Sequence, residues 1–262
     1  ITSLLYTGIL TVIFIFLKFD LDVILLAVIL NHLILCIAFL IFYKINKICF
    51  KFINIFLLKE LFIIAIPAML MNMLMYLNYH ADVLFLSVIT HDSVEIGLYG
   101  TAVTLGNMLW IVPDAFKDIM YNRAAQKDNP NEVIMAILCN LLICVLVLIS
   151  FGFLGKWNLN VLYGKDYVDS YSLVMTLFVG TLPMILYKLI HPLYIANGKT
   201  KIVVLLLALA VIINIIGNII LIPKYGGMGA AIASVVSYMI CGVIFFIKFR
   251  LDYHISINKL FK

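Results

Sequence analysis

Polar side chains that could bind a substrate or an ion interrupt several long apolar stretches of this sequence. Asn78, His80 and Asp82 follow an apolar run that starts near residue 59. Helical geometry puts Met71, Met75, Asn78 and Asp82 on one stripe. A carboxylate is costly in lipid, so we expect Asp82 to face a water-filled cavity, where it could take a coupling proton or cation. His80 adds an imidazole, whose charge changes near neutral pH. The alternative is that Asp82 pairs with a neighbouring helix and only fixes packing.

The next apolar segment carries polar side chains at helical spacing. They are Asn107, Trp110, Asp114, Lys117, Asp118 and Tyr121. Asp114 and Lys117 are spaced to neutralise each other, and Pro113 should bend the helix beside them. This face is either a substrate-entry surface or a solvated helix end, and the sequence favours the second interpretation.

Tyr187, Lys188 and His191 share one face of a later segment, between Pro183 and Pro192. The Lys188 ammonium could extend along its aliphatic stem to the membrane interface. It could instead meet a pyrophosphate as a point charge. The sequence leaves both roles open.

Other polar and small residues are expected to serve helix packing. Asn214 and Asn218 are four residues apart, which suits hydrogen bonds between helices in a membrane. Gly229 with Ala233, and Ala230 with Ser234, form pairs of small residues that allow close helix contact.

Signatures of enzymes are missing from the sequence. HExxH and GxSxG do not occur, and Gly198-Lys199-Thr200 lacks the first glycine of a phosphate-binding loop because Leu193 stands there. The histidines and cysteines have no metal-ligand spacing. We therefore expect no enzymatic activity, no cofactor and no metal.

Composition sets the class of protein. The 262 residues are 65% apolar and 12% charged, with a mean hydropathy of +1.17, whereas soluble domains are near half apolar and a quarter charged. The apolar stretches are continuous rather than alternating, which excludes a β-barrel. We predict an all-α, polytopic membrane helix bundle with about eight spans. They are residues 2–17, 21–43, 60–89, 94–120, 132–154, 169–196, 201–222 and 228–249.

Basic residues set the predicted orientation. The connections between successive spans alternate between the two sides of the membrane. Most of the 18 lysines and arginines fall in the connections on one side, which places that side in the cytoplasm. The expected location is the inner (cytoplasmic) membrane, with the linker 44–58 and the C-terminus inside. Lys44, Lys47 and Lys51 are spaced for an amphipathic helix on the anionic inner leaflet. An ordinary cytoplasmic connector explains the linker 44–58 equally well.

The layout of the segments suggests a repeat. The first pair and the last pair each read as apolar run, short turn, apolar run and basic exit. We expect residues 1–43 to be the last two helices of an N-terminal lobe and 59–250 a six-helix C-terminal lobe, followed by a cytoplasmic tail, 251–262. On this view the chain is a fragment that lacks the first four helices of a two-lobed transporter.

Three stretches carry a resemblance to a known family, and the weakest of them is the layout of residues 1–59. Residues 58–116 have a proline-containing apolar start, a polar Asn/Asp end and the turn Glu95-Ile96-Gly97-Leu98-Tyr99. Residues 194–240 have an Asn-Gly-Lys-Thr entry, an Asn-x-x-x-Asn pair and the turn Ile-Pro-Lys-Tyr-Gly-x-x-Gly-Ala-Ala. Together they resemble the polysaccharide flippases of the multidrug and oligosaccharidyl-lipid exporter superfamily.

The resemblance implies a MATE-like, V-shaped bundle that flips undecaprenyl-type lipid-linked oligosaccharide outward by alternating access. The product would be a surface polysaccharide such as O-antigen of lipopolysaccharide or capsule. The implied partners are the lipid-linked substrate, membrane lipids and polysaccharide assembly machinery, with no nucleic acid. Many relatives resemble Asn-Asn-Arg-Ile-Asp where this chain has Asn78-Tyr79-His80-Ala81-Asp82. The arginine is thus replaced by His80.

Two other functions compete with the flippase. One is a multidrug or cation exporter of the same superfamily. The other is a membrane polysaccharide polymerase or glycosyltransferase, which needs a sizeable outside loop with arginines or carboxylates. The longest outside loop predicted here, about residues 155–168, has two lysines, the single carboxylate Asp166 and no arginine, which counts against the enzyme.

Overall fold

The computed structural model describes residues 21–45, 55–126 and 130–254. Nearly all of these residues are helical, and none of them forms a β-strand. The predicted span 2–17 and residues 46–54 of the predicted linker lie outside the described residues. The chain divides into two compact units, residues 1–59 and 60–262. Helix α1, Leu21–Ile45, belongs to the first unit.

The remaining helices follow in chain order. They are α2 (Ile55–Thr90), α3 (Ser93–Leu109), α4 (Ile111–Gln126), α5 (Pro130–Tyr163), a 3-10 helix (Lys165–Ser170), α6 (Tyr171–Ala196) and α7 (Thr200–Asp252). Helix α2 begins at Ile55, within the segment predicted as a linker. It buries the predicted stripe: Met71, Asn78 and Asp82 face the bundle, together with Leu86. That part of the prediction is confirmed.

The segment 94–120, predicted as one helix, is a bent pair. Helices α3 and α4 meet at Trp110 at an angle of 41°. Pro113 explains the break, since it has no N–H to donate to the carbonyl of Leu109 and its ring crowds that group. The bend therefore lies about one turn before the proline, at Trp110.

Helix α5 runs further than the sequence predicted. It continues to Tyr163 and is followed directly by the 3-10 helix, so the prediction of a loop over 155–168 is wrong. The extra turns are held by packing: Leu159 is fully buried, and the Tyr171 hydroxyl donates to the carbonyl of Gly152 at 2.9 Å. Gly164, with a φ of 97°, ends the helix.

Helix α7 folds back on itself at Gly226, where φ is 54° and ψ is −134°. Ser237 Oγ lies 2.8 Å from the carbonyl oxygen of Ala210, a contact that requires two antiparallel arms. Gly217 faces Ala233 across the hairpin. The two arms correspond to the predicted spans 201–222 and 228–249, and their small residues do allow close contact, as expected.

The described helices of the second unit form a multi-pass membrane bundle. Four of them are long and apolar enough to cross a membrane, or up to five if the bent pair α3–α4 is counted as one span. In the apolar part of α6, 67% of the residues are buried, against 33% of the residues in the apolar parts of α5 and α7. Helix α6 is therefore the central helix, packed by α3, α4, α5 and α7, and it positions the side chains described next.

Candidate functional site

A small polar cavity lies where α2, the α3–α4 bend, α6 and α7 meet. Its volume is about 20 Å³, room for about one water molecule. Six of the residues around it are Tyr79, Asp82, Asn107, Trp110, Thr181 and Tyr238. Two of the predicted site residues, Asp82 and Asn107, thus line the same space, although they come from different helices.

Asp82 is buried in a network of hydroxyl groups. Its side chain carboxylate accepts hydrogen bonds from the hydroxyls of Tyr99, at 2.5 Å, and Ser234, at 2.9 Å, and the residue is 1% exposed. Asn214 donates to Ser234 Oγ at 3.2 Å, which extends the network along α7. Among the described residues, no lysine or arginine forms an ion pair with Asp82. The backbone N–H of Val83 also donates to Asp82 Oδ1 at 2.8 Å, so its charge is balanced by hydroxyl and amide dipoles or by a proton or cation.

Asn78 lies one turn away from Asp82 on α2 and is also fully buried. Its Oδ1 accepts from Ser237 Oγ at 2.7 Å. Its Nδ2 has no partner in the described part of the chain, and neither does the hydroxyl of the adjacent Tyr79. Of these two residues, Tyr79 lines the cavity, so its unused hydroxyl can bind an acceptor there, either water or a ligand oxygen.

His80 does not join this group. It lies on the opposite side of α2 from Asn78 and Asp82, as helical geometry requires for residues two positions apart. Its ring packs on Tyr76 at 4.5 Å between centroids, and Tyr76 is 64% exposed. The structure therefore places His80 on the outer surface of the bundle, away from the cavity.

Lys188 points into the bundle. Its Nζ donates to Asp114 Oδ1 at 2.7 Å, and its side chain is only 2% exposed. The ammonium also lies 4.3 Å from the ring centroid of Trp110 and 5.6 Å from that of Tyr79. The ammonium therefore does not extend to the surface of the bundle, because a carboxylate and two aromatic rings hold it inside.

Asp114 is shared between two lysines. Lys117 Nζ lies 3.0 Å from the same Oδ1 atom, so the predicted neutralisation of Asp114 by Lys117 is confirmed. Lys117 also lies 4.0 Å from Asp118, whose side chain is 75% exposed. The predicted polar face is therefore divided: Asp118 is solvated as expected, whereas Trp110 and Asp114 turn towards the bundle.

His191 connects α6 to α4. Its Nδ1 lies 2.9 Å from the carbonyl oxygen of Tyr187, and because a carbonyl only accepts, Nδ1 carries the proton. Its Nε2 forms a hydrogen bond of 2.9 Å with the Tyr121 hydroxyl. The Tyr187 and His191 rings stack at 4.6 Å, and the Tyr187 hydroxyl donates to Met75 Sδ at 3.5 Å. These contacts hold the imidazole between two helices, and none of them involves Asp82.

The site contains residues that sequence reasoning missed. Tyr99 and Ser234 bind Asp82, and Glu95 Oε1 accepts from the backbone N–H of Gly227 at 2.7 Å. Glu95 and Tyr99 belong to one of the turns quoted above and Gly227 to the other, so the two turns touch each other. The need of Asp82 for a buried partner was a signal, but it did not identify which helix supplies one. Within the described ranges, no three His, Cys, Asp or Glu side chains come together as metal ligands would.

Comparisons with known proteins agree with this geometry at the level of the fold. No protein-family model matches the chain. A stretch of 124 residues is 33% identical to the probable multidrug resistance protein NorM of Bacillus cereus, covering 43% of this chain and 27% of that protein. The chain therefore spans well under half of the relative that it matches.

Two solved structures have a similar fold. One is an outward-facing multidrug resistance MATE family transporter of the MOP superfamily, with a TM-score of 0.58 and 17% identity. The other is a MOP superfamily transporter from Pyrococcus furiosus, described by the reverse polarity of its binding pocket, with a TM-score of 0.57 and 18% identity. Each match covers 70% of this chain and 42% of the other. The described helices thus have a MATE-like fold.

Proposed function

We propose that this chain is part of a membrane transporter that flips undecaprenyl-type lipid-linked oligosaccharide outward for surface polysaccharide synthesis, by alternating access. The MATE-like fold and the likeness to transporters support the general class. The observation that supports this choice of substrate is the position of Lys188. It is a buried cation beside the polar cavity and is held by Asp114. A buried ammonium suits a phosphate or pyrophosphate, which it can meet as a point charge.

The charges around Asp114 supply a way to receive such a substrate. Asp114 binds both Lys188 and Lys117 through one oxygen. When a phosphate takes the Lys188 ammonium, Asp114 keeps Lys117 as its partner, so no carboxylate is left unpaired. The cost of breaking the Lys188–Asp114 pair is therefore partly offset in the bound state.

Asp82 is the group that we propose for ion coupling. As a carboxylate it accepts from both Tyr99 and Ser234. A proton or cation on Asp82 competes with those hydroxyl groups, and thereby changes the contacts that join α2 to α3 and α7. The packing of α2 against α3 and α7 would in this way depend on whether the coupling ion is bound. The proposal keeps the inner-membrane orientation, the cytoplasmic C-terminus and the polysaccharide assembly partners expected from the sequence.

Multidrug export is the second candidate, and the likeness to NorM favours it. In that case Asp82 or Asp114 would attract an organic cation, and Lys188 would oppose its binding. The two functions therefore make opposite demands on Lys188.

One experiment separates the two candidates. The complete gene that encodes this chain is expressed in a bacterial strain without its polysaccharide flippase and in a strain without its drug exporters. We expect surface polysaccharide to return in the first strain, with no ethidium efflux in the second. Lys188→Met should abolish the rescue, whereas Lys156→Met, a control at a different lysine next to an aromatic ring, should retain it. Ethidium efflux without surface polysaccharide would contradict the flippase proposal and support multidrug export.

A further inference from the structure

Three aromatic rings from separate helices meet beside the cavity. Tyr79 of α2 stacks on Trp110 at 5.5 Å, and Tyr238 of α7 packs edge-on against Tyr79 at 5.7 Å and Trp110 at 6.2 Å. All three residues are buried. Because each ring is held by the other two, their faces are fixed before any ligand arrives, which lowers the entropy cost of binding.

The Asp114 carboxylate and the Tyr79 and Trp110 rings form an ammonium cage. Lys188 Nζ lies in it, 2.7 Å from the carboxylate and over the faces of both rings. Attraction between a cation and an aromatic face is strongest where water is excluded, and this ammonium is almost completely buried. The cage thus has the features of a binding site for an organic ammonium group, and a side chain of the protein occupies it.

The other lysines over aromatic rings lack these features. Lys156 lies 5.5 Å from Tyr171, and Lys199 lies 5.9 Å from both Tyr194 and Tyr253. Both lysines are exposed. In the described part of the chain, only Lys188 combines a close ring, a carboxylate and burial.

We infer that Lys188 is a specificity-determining residue that fills this cage as an internal cation. It excludes free organic cations from a site that would otherwise accept an alkylammonium group. The inference rests on the proposed function, since it gives the reason why an anionic rather than a cationic substrate is selected. Removal of the Lys188 side chain should open the cage to small ammonium ions.

Chemical rescue tests this directly. Lys188→Ala removes the atoms that n-propylammonium carries, so this ion should bind the variant and restore its thermal stability. The full chain has two tryptophans, Trp110 and Trp157, so Trp157→Phe leaves Trp110 as the fluorescent reporter in purified protein in nanodiscs. We expect n-propylammonium to cause a saturable change of Trp110 emission in Lys188→Ala. Its affinity for the parent should be at least about tenfold weaker, because there the Lys188 ammonium already makes the charge-assisted contact with Asp114.

Two controls show whether charge recognition is the cause. Neutral 1-propanol, similar in size, should bind Lys188→Ala at least about tenfold more weakly than n-propylammonium. Adding Asp114→Asn to Lys188→Ala should remove most of the n-propylammonium response. Equal responses to the ion and the alcohol, or no effect of Asp114→Asn, would overturn the inference.

A second variant covers poor folding of Lys188→Ala. Lys188→Met keeps the aliphatic stem and vacates only the position of the ammonium, so ammonium chloride should change its Trp110 emission where sodium chloride does not. Identical curves for the two salts would refute the cage. These assays measure binding and not transport, so they can fail while polysaccharide rescue succeeds, or the reverse.

Discussion

The hydrogen bond from Tyr99 to Asp82 offers the sharpest test of the buried network. Tyr99→Phe removes one hydroxyl and leaves the ring, which is fully buried, in place. A hydrogen bond to a charged group contributes about 1.5–3 kcal/mol in soluble proteins, and those between membrane helices average about 0.6 kcal/mol. We therefore expect Tyr99→Phe to lower the free energy of unfolding by about 1–2 kcal/mol, because Ser234 still donates to the carboxylate.

The measurement is a double-mutant cycle of Tyr99→Phe with Asp82→Asn, read by reversible unfolding in mixed detergent micelles. If the bond is as described, Tyr99→Phe should cost less than about 0.5 kcal/mol once Asp82 is Asn, because the charged acceptor is gone. Tyr225→Phe is the control, since Tyr225 is exposed, and it should change stability little. Additive effects of Tyr99→Phe and Asp82→Asn would refute the argument that the Tyr99 hydroxyl stabilises the fold through Asp82.

Three further predictions concern packing and transport. Gly226→Ala should destabilise the fold by about 1–3 kcal/mol, because φ is positive there and the methyl group meets a neighbouring carboxylate; thermal unfolding measures this, with Gly97→Ala as a control where nothing lies within 4 Å. Gly242→Ala should separate α6 from α7, because its methyl group would overlap the carbonyl of Pro183, and loss of the folded fraction on size-exclusion chromatography is the expected result. Asp82→Asn in the complete transporter should impair flipping in the rescue assay, and normal transport would exclude Asp82 from coupling.

Sequence periodicity predicted which faces are buried, but not which side chains meet. The stripe from Met71 to Asp82 follows from the helical repeat alone, so it could be predicted. Lys188 could not be placed, because its direction is set by Asp114, which is 74 positions away in the chain. His80 was grouped with Asp82 by adjacency, yet two positions along a helix turn a side chain to the other side.

Local breaks were predicted in the same uneven way. Pro113 marked a bend because proline removes a backbone donor wherever it stands. The end of α5 was missed because Leu159 and the contact between Tyr171 and Gly152 extend the helix through tertiary packing. A turn that depends on the chain itself is thus readable from the sequence, whereas one that depends on a distant partner is not.

The hairpin of α7 has a consequence for how the protein enters the membrane. Several of its polar groups pair within the hairpin: Asn218 donates to Asn214, Asn214 donates to Ser234, and Ser237 lies against the Ala210 carbonyl. Asn218 Oδ1 has no partner among the described residues. The two arms, inserted together as one unit, would therefore carry the amide donors of Asn214 and Asn218 into the hydrocarbon already paired. Asp82 then needs only to dock α2 against a preformed hydroxyl at Ser234. Because the hairpin follows α2 in the chain, we expect the buried carboxylate of α2 to settle on the hairpin as a template during biogenesis.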